Sequence, residues 1–217
     1  MNPSPVSAAR PPACTPAQGR WRRAGFTLVE LLTVIAIIGV LATILIPTTA
    51  AVRTTAKRAK TKVQFGQWAV AMEQFRQEYG YYPAIDGGSG RVNPALFAGA
   101  LTGQTLDGRA AADRSQLSGN SRQLRFYYIG EGELNETRTE LTDAFGNTDI
   151  AVIYDKNGDG MIGSADGEVV AVRGQGGTAA WAPGGKDLNL TAGVRAGVIF
   201  YSAGNGLEPG DLVLSWK

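Results

Sequence analysis

The sequence predicts an α+β fold in which one long, kinked N-terminal helix packs on a small antiparallel sheet. Two patterns predict it. Helical periodicity runs from residue 26 to about residue 80, and the C-terminal part breaks into short β-prone runs separated by Gly, Asn and Asp. A chain of 217 residues with 44% hydrophobic content fits one globular domain plus an appendage.

The first element is apolar. Residues 26–46, FTLVELLTVIAIIGVLATILI, carry one charge, Glu30. A helix of this length spans about 31 Å, close to the hydrocarbon thickness of a bilayer. Residues 1–25 before it are rich in Pro, Ala and Arg and show no apolar periodicity, which predicts a disordered segment outside the fold.

Pro47 predicts a kink rather than an end, because periodicity resumes after it. Val52, Ala56, Ala59 and Val63 recur at spacings of three and four. Phe65, Trp68, Met72, Phe75 and Tyr79 do the same on a rotated stripe, so residues 47–80 form an amphipathic half whose aromatic stripe packs on a sheet. Gly80-Tyr81-Tyr82-Pro83 stops the helix. Asn93-Pro94 pairs an N-cap with a proline at the first helical position and predicts a short helix over 94–101. Residues 102–123 are small and polar and form a loop. Residues 150–154, 168–173, 194–201 and 212–216 are the predicted strands of a head covering 81–217.

Charge and composition exclude several functions. The formal net charge is +2, but Arg10, Arg20, Arg22 and Arg23 all lie in the first 25 residues, where there is no acid. Without those four, 17 basic residues face 19 acidic ones, so no nucleic-acid partner is expected. Histidine is absent, which excludes histidine-based acid/base catalysis and histidine metal ligation. The single cysteine, Cys14, has no intramolecular partner. Asp143, Asp155 and Asp159 suit chelation better than paired acid/base work, so no enzyme is expected.

Three readings apply to residues 26–46. A secretory signal fits the preceding arginines but has a shorter apolar core and no acid. A plain membrane anchor fits the length and leaves Glu30, at up to about 3 kcal/mol in mid-bilayer, without a purpose. The third rests on Arg22 to Leu32, RRAGFTLVELL, which resembles the prepilin-peptidase motif of type IV pilins and type II secretion pseudopilins.

That resemblance implies cleavage between Gly25 and Phe26 by prepilin peptidase and N-methylation of Phe26. It also implies a pilin-like head in the periplasm, a single pass through the inner membrane, and a cytoplasmic leader, 1–25, before cleavage. Glu30 is then the assembly residue that pairs with the terminal amine of a neighbouring subunit. The implied partners are further copies of the chain, other pseudopilins, and an assembly platform with its ATPase. Charge does not decide the orientation, since Arg53, Lys57, Arg58, Lys60 and Lys62 follow the apolar run as the arginines precede it.

Further segments resemble the major, G-like pseudopilins of type II secretion: GYYP after the helix, DAFGN at 143–147, and YSAGNG at 201–206. They favour a secretion pseudopilus over a type IV pilus subunit, the alternative. A calcium-dependent surface binding module is an alternative of another class.

Calcium is expected at residues 155–166. Asp155, Asn157 and Asp159 place oxygens at alternate positions, Gly160 permits the turn, Met161 offers its carbonyl, and Asp166 takes the twelfth position, with Glu168 nearby as a substitute. The spelling resembles dockerin-type loops. An Asp/Asn/Gly hairpin turn without metal is the alternative. The calcium site of G-like pseudopilins lies in a C-terminal loop, which here is shortened and holds Asn205, Glu208 and Asp211.

Overall fold

The structure is a computed structural model that describes residues 25–111, 113–177 and 179–217, without the side chains of residues 44–48. The chain divides into two units, 1–47 and 48–217. One helix, α1 (Leu28–Tyr79), runs through the boundary. Helix α1 continues through Pro47 rather than ending there, and the leader up to residue 24 falls outside the described residues.

In the first unit, apolar side chains from Leu28 to Leu41 are exposed all around the helix. Among the described residues no helix is long and apolar enough to cross a membrane. The described side chains of the 26–46 segment stop at Thr43.

The second unit is an α+β head. Its sheet has the order β1 (Ile150–Tyr154), β4 (Val198–Ser202), β5 (Val213–Leu214), all antiparallel, with Val152 opposite Phe200. A separate two-stranded piece pairs β2 (Val172–Arg173) with β3 (Ala180–Trp181). The aromatic stripe of α1 packs on one face of the sheet, where Phe65 and Trp68 meet Phe200 with ring centroids 5.9 and 5.5 Å apart. Trp68 also meets Phe97 of α2 (Pro94–Thr102) at 4.7 Å.

Successive strand residues point to opposite faces. Ile150, Val152, Tyr154, Val198 and Phe200 therefore join α1, while Ala151, Ile153, Ile199 and Tyr201 form a second core with Ile162, Val172 and Leu188. Burial on both faces explains why IAVIY and VIFYS are continuous apolar runs without alternation.

The helix boundaries follow their signals. Gly80 takes φ 83°, a left-handed conformation that suits glycine, and its N–H closes the last turn on the Arg76 carbonyl. Asn93 caps α2, its Oδ1 accepting from the N–H groups of Ala95 and Leu96.

β1 spans the expected residues 150–154, but the other expected strands are shorter. Of residues 168–173 only 172–173 pair, because the Val170 N–H donates to the Tyr201 hydroxyl, which in turn donates to the Val170 carbonyl, in place of a neighbouring strand. The 194–201 run pairs from 198 onward, while Val194 makes an isolated bridge to Ile162. Ala180–Trp181 is a strand with no counterpart among the sequence expectations.

Candidate functional site

The first turn of α1 is built by Thr27. Its hydroxyl accepts from the Glu30 N–H at 3.2 Å and donates to Glu30 Oε2 at 2.7 Å, while the Thr27 N–H donates to the same oxygen at 2.8 Å. This is a reciprocal capping box, in which side chain and backbone satisfy each other at a helix start. Thr-x-x-Glu before an apolar run is the sequence signal for this cap, and Thr27, which fixes the Glu30 carboxylate, is not among the residues expected at the site. Phe26 precedes the cap and is 81% exposed. Gly25 lies beside it with open space around its Cα, so the surrounding fold does not require a glycine there.

In the head, the DAFGN and YSAGNG segments form one buried network. Asp143 Oδ1 accepts from the N–H groups of Phe145 and Asn147, and Oδ2 accepts from Asn147 Nδ2 at 2.8 Å and Ser202 Oγ at 2.6 Å. Asn147 Nδ2 also donates to the Gly204 carbonyl, and its Oδ1 accepts from the Gln175 N–H. Gly204, at φ 59°, brings the loop so close that a Cβ would lie 2.0 Å from the Asp211 carbonyl. Four accepted bonds saturate the Asp143 carboxylate, so this acid is a structural anchor.

The 155–166 loop is organised from its two ends. Asp155 and Asp166 are buried, whereas Asn157 and Asp159 are exposed. Asp155 accepts from the Gly158 and Gly160 N–H groups, and Asp166 accepts from those of Lys156 and Gly163. Asp159 Oδ1 takes the Met161 N–H, and its Oδ2 takes Asn157 Nδ2. Among the described residues no three His, Cys, Asp or Glu side chains come together to hold a metal ion. Asp155 and Asp166 are thus tied into one loop, with Asp159 at its tip.

The C-terminal loop is fastened differently. Asp211 Oδ2 accepts from the Leu207 and Glu208 N–H groups, its Oδ1 lies 3.6 Å from the Arg58 guanidinium, and Arg58 donates to the Gly210 carbonyl at 3.0 Å. One cation of the basic run after the apolar segment thereby belongs to the fold, and Lys57 lies over the Phe145 ring.

Residues 22–46 match the prokaryotic N-terminal methylation motif. The chain carries a type IV pilin-like prepilin motif. No curated protein and no solved structure matches the chain.

The prepilin motif includes Gly25, Phe26 and Glu30 and belongs to structural subunits, not enzymes. It implies processing by prepilin peptidase, a membrane-anchored precursor and assembly into a pilin-type filament. Its acid is the one that Thr27 holds at the helix start.

Proposed function

We propose that this chain is a structural subunit of a type II secretion pseudopilus-like filament. In this reading prepilin peptidase cuts between Gly25 and Phe26 on the cytoplasmic side, Phe26 is N-methylated, and subunits polymerise out of the inner membrane with their heads in the periplasm. The observation that carries it is the prepilin motif at 22–46. Cleavage would put a positive amine one helical turn from Glu30. Pairing that amine with the carboxylate of a neighbour offsets the desolvation each charge suffers in lipid, which makes the acid a reason to assemble. The meeting of DAFGN and YSAGNG in one network supports a pseudopilin over a type IV pilus subunit, since both segments contribute to a single structural unit.

Intact mass of the membrane-extracted protein tests the processing. A chain starting at methylated Phe26 supports it, and one starting near residue 51 identifies an ordinary secretory signal. Glu30→Gln should leave that mass pattern in place and abolish filaments, and filaments of normal abundance from this variant would overturn the role of Glu30.

We also propose calcium for the 155–166 loop, held by Asp155, Asn157, Asp159, the Met161 carbonyl and Asp166. Support comes from the all-oxygen donor set, which suits a hard cation, and from the anchoring of Asp155 and Asp166 by loop N–H groups. A bound ion would stiffen the head. Calorimetry should show calcium raising the unfolding temperature of the intact protein and not of Asp159→Ala. No calcium-dependent stabilisation of the intact protein would overturn the proposal.

A further inference from the structure

Two segments of the head share one spelling. Glu133-Leu134-Asn135-Glu136-Thr137 and Asp187-Leu188-Asn189-Leu190-Thr191 each place an acid two residues before an asparagine and a threonine two residues after it. Asparagine followed at the second position by threonine, with no proline between, is the acceptor pattern for N-linked saccharide, and prokaryotic transferases read the preceding acid as well. As sequences the two segments are equal. The fold makes them unequal.

Asn135 is consumed by its own turn. Its Oδ1 accepts from the N–H groups of Thr139 and Glu140 at 2.8 and 3.2 Å, and its Nδ2 donates to Thr139 Oγ1 and Glu140 Oε2 at 3.2 and 3.3 Å. The Thr137 hydroxyl is engaged too, 2.8 Å from Thr139 Oγ1. A bridge between Leu134 and Leu141 closes the turn, with Asn135 half-buried inside it. Bringing this amide to a reacting carbon would dismantle the turn.

Asn189 is placed the opposite way. Leu188 is buried in the second core and Leu190 packs against that core, which fixes the chain on either side, while Asn189 and Thr191 are exposed. Asn189 Oδ1 accepts from the N–H groups of Thr191 and Ala192 at 3.0 and 3.2 Å, so carboxamide and threonine share one short turn. Neither Asn189 Nδ2 nor the Thr191 hydroxyl has a hydrogen-bond partner among the described residues. The acid of the segment, Asp187, meets only the Lys217 ammonium, in an exposed pair of small worth that a transferase can replace.

We propose that Asn189 is a site of N-linked glycosylation and that the fold withholds Asn135. The co-reactant is a saccharide carried on polyprenyl diphosphate, used by a membrane oligosaccharyltransferase. A bond forms between Asn189 Nδ2 and the saccharide C1 as the bond from C1 to the diphosphate oxygen breaks. The amide gives up one proton to a base of the transferase, and polyprenyl diphosphate leaves with the electron pair. The inference rests on the membrane-anchored reading in one respect, that the head is exported to the side where such transfer occurs.

Intact mass and peptide mapping of the chain purified from its own cells test it. A saccharide should be found on Asn189 and none on Asn135. Asn189→Gln and Thr191→Ala should each remove it, Thr191→Ser should retain it, and Asn135→Gln should leave it in place, with folding checked by near-ultraviolet circular dichroism. An unmodified Asn189 in the unmutated chain would overturn the inference. A second measurement separates fold from spelling, using a purified prokaryotic oligosaccharyltransferase, a polyprenyl-diphosphate saccharide and the full chain in detergent. The folded chain should take saccharide at Asn189 alone, whereas short peptides carrying either segment should both be modified. Equal transfer to Asn135 and Asn189 in the folded chain, or refusal of the Asn135 peptide, would overturn the role of the fold. The mass measurement also keeps this inference apart from the filament reading. A methylated Phe26 start without saccharide refutes glycosylation alone, and saccharide on a chain starting near residue 51 supports it while refuting the filament reading.

Discussion

The two sides of α1 in the head are both apolar in sequence and meet opposite fates. The inner side buries Phe65, Trp68, Met72 and Phe75 against the sheet and α2, whereas the outer side leaves Val52, Val63 and Val70 bare. The difference lies in size and in neighbours. Large aromatic rings reach across to Phe200 and Phe97, while the smaller valines of the outer side stay exposed. Apolar periodicity therefore identifies faces that want cover and does not say whether the chain itself supplies it.

The largest effect should come from the inner side. Trp68→Ala removes a fully buried ring and the indole donor to Glu133 Oε2, so urea unfolding should show a loss of about 3–5 kcal/mol. A loss below about 1 kcal/mol would mean that the inner face is not the core.

The next effect is pH-dependent and concerns the tyrosines around the sheet. Burial comes first in raising Tyr82, Tyr127 and Tyr154 well above the ordinary value of 10.0, helped by the carboxylates of Glu73, Glu133 and Asp86 respectively. On the other face of the sheet, burial pushes Tyr201 up to about 12. A raised folded value means that the native state holds its protons longer than the unfolded chain. The stabilisation is then complete below pH 10 and is lost as pH rises from there through the folded values. Denaturant midpoints should fall steeply above pH 10, with phenolate absorbance appearing together with unfolding. Phenolate formation near pH 10 in a protein that stays folded would contradict the burial of these hydroxyls.

The smallest effect should come from the outer side. Val63→Ser changes an exposed residue and should move the stability of the monomer by less than about 0.5 kcal/mol. A larger loss would place Val63 in the core and erase the contrast between the two sides.

Much of the fold was legible because its signals are local. Gly80, Asn93-Pro94 and the aromatic stripe each act within a few residues, and α1 and α2 end within one residue of where these signals put them. The strands were less legible. Val170 satisfies its backbone through the hydroxyl of Tyr201, 31 residues away, and no local pattern carries that information. The candidate site divides in the same way. Arg22 to Leu32 announces its chemistry as a contiguous motif, and Thr27 was readable as the cap of Glu30. The partnership of Asp143 with Ser202 and the fastening of Asp211 by Arg58 join residues far apart in the chain.

By itself, then, the sequence determined the N-terminal motif, the extent of α1 and the segments able to bury apolar surface, because each depends on covalent neighbours and helical or strand period. Tertiary structure alone decided which apolar face of α1 is covered, where the acids of the head find their donors, and how far each strand pairs. Those outcomes depend on which surfaces come within a few ångströms once the chain closes, and that is set by the packing of all the elements together.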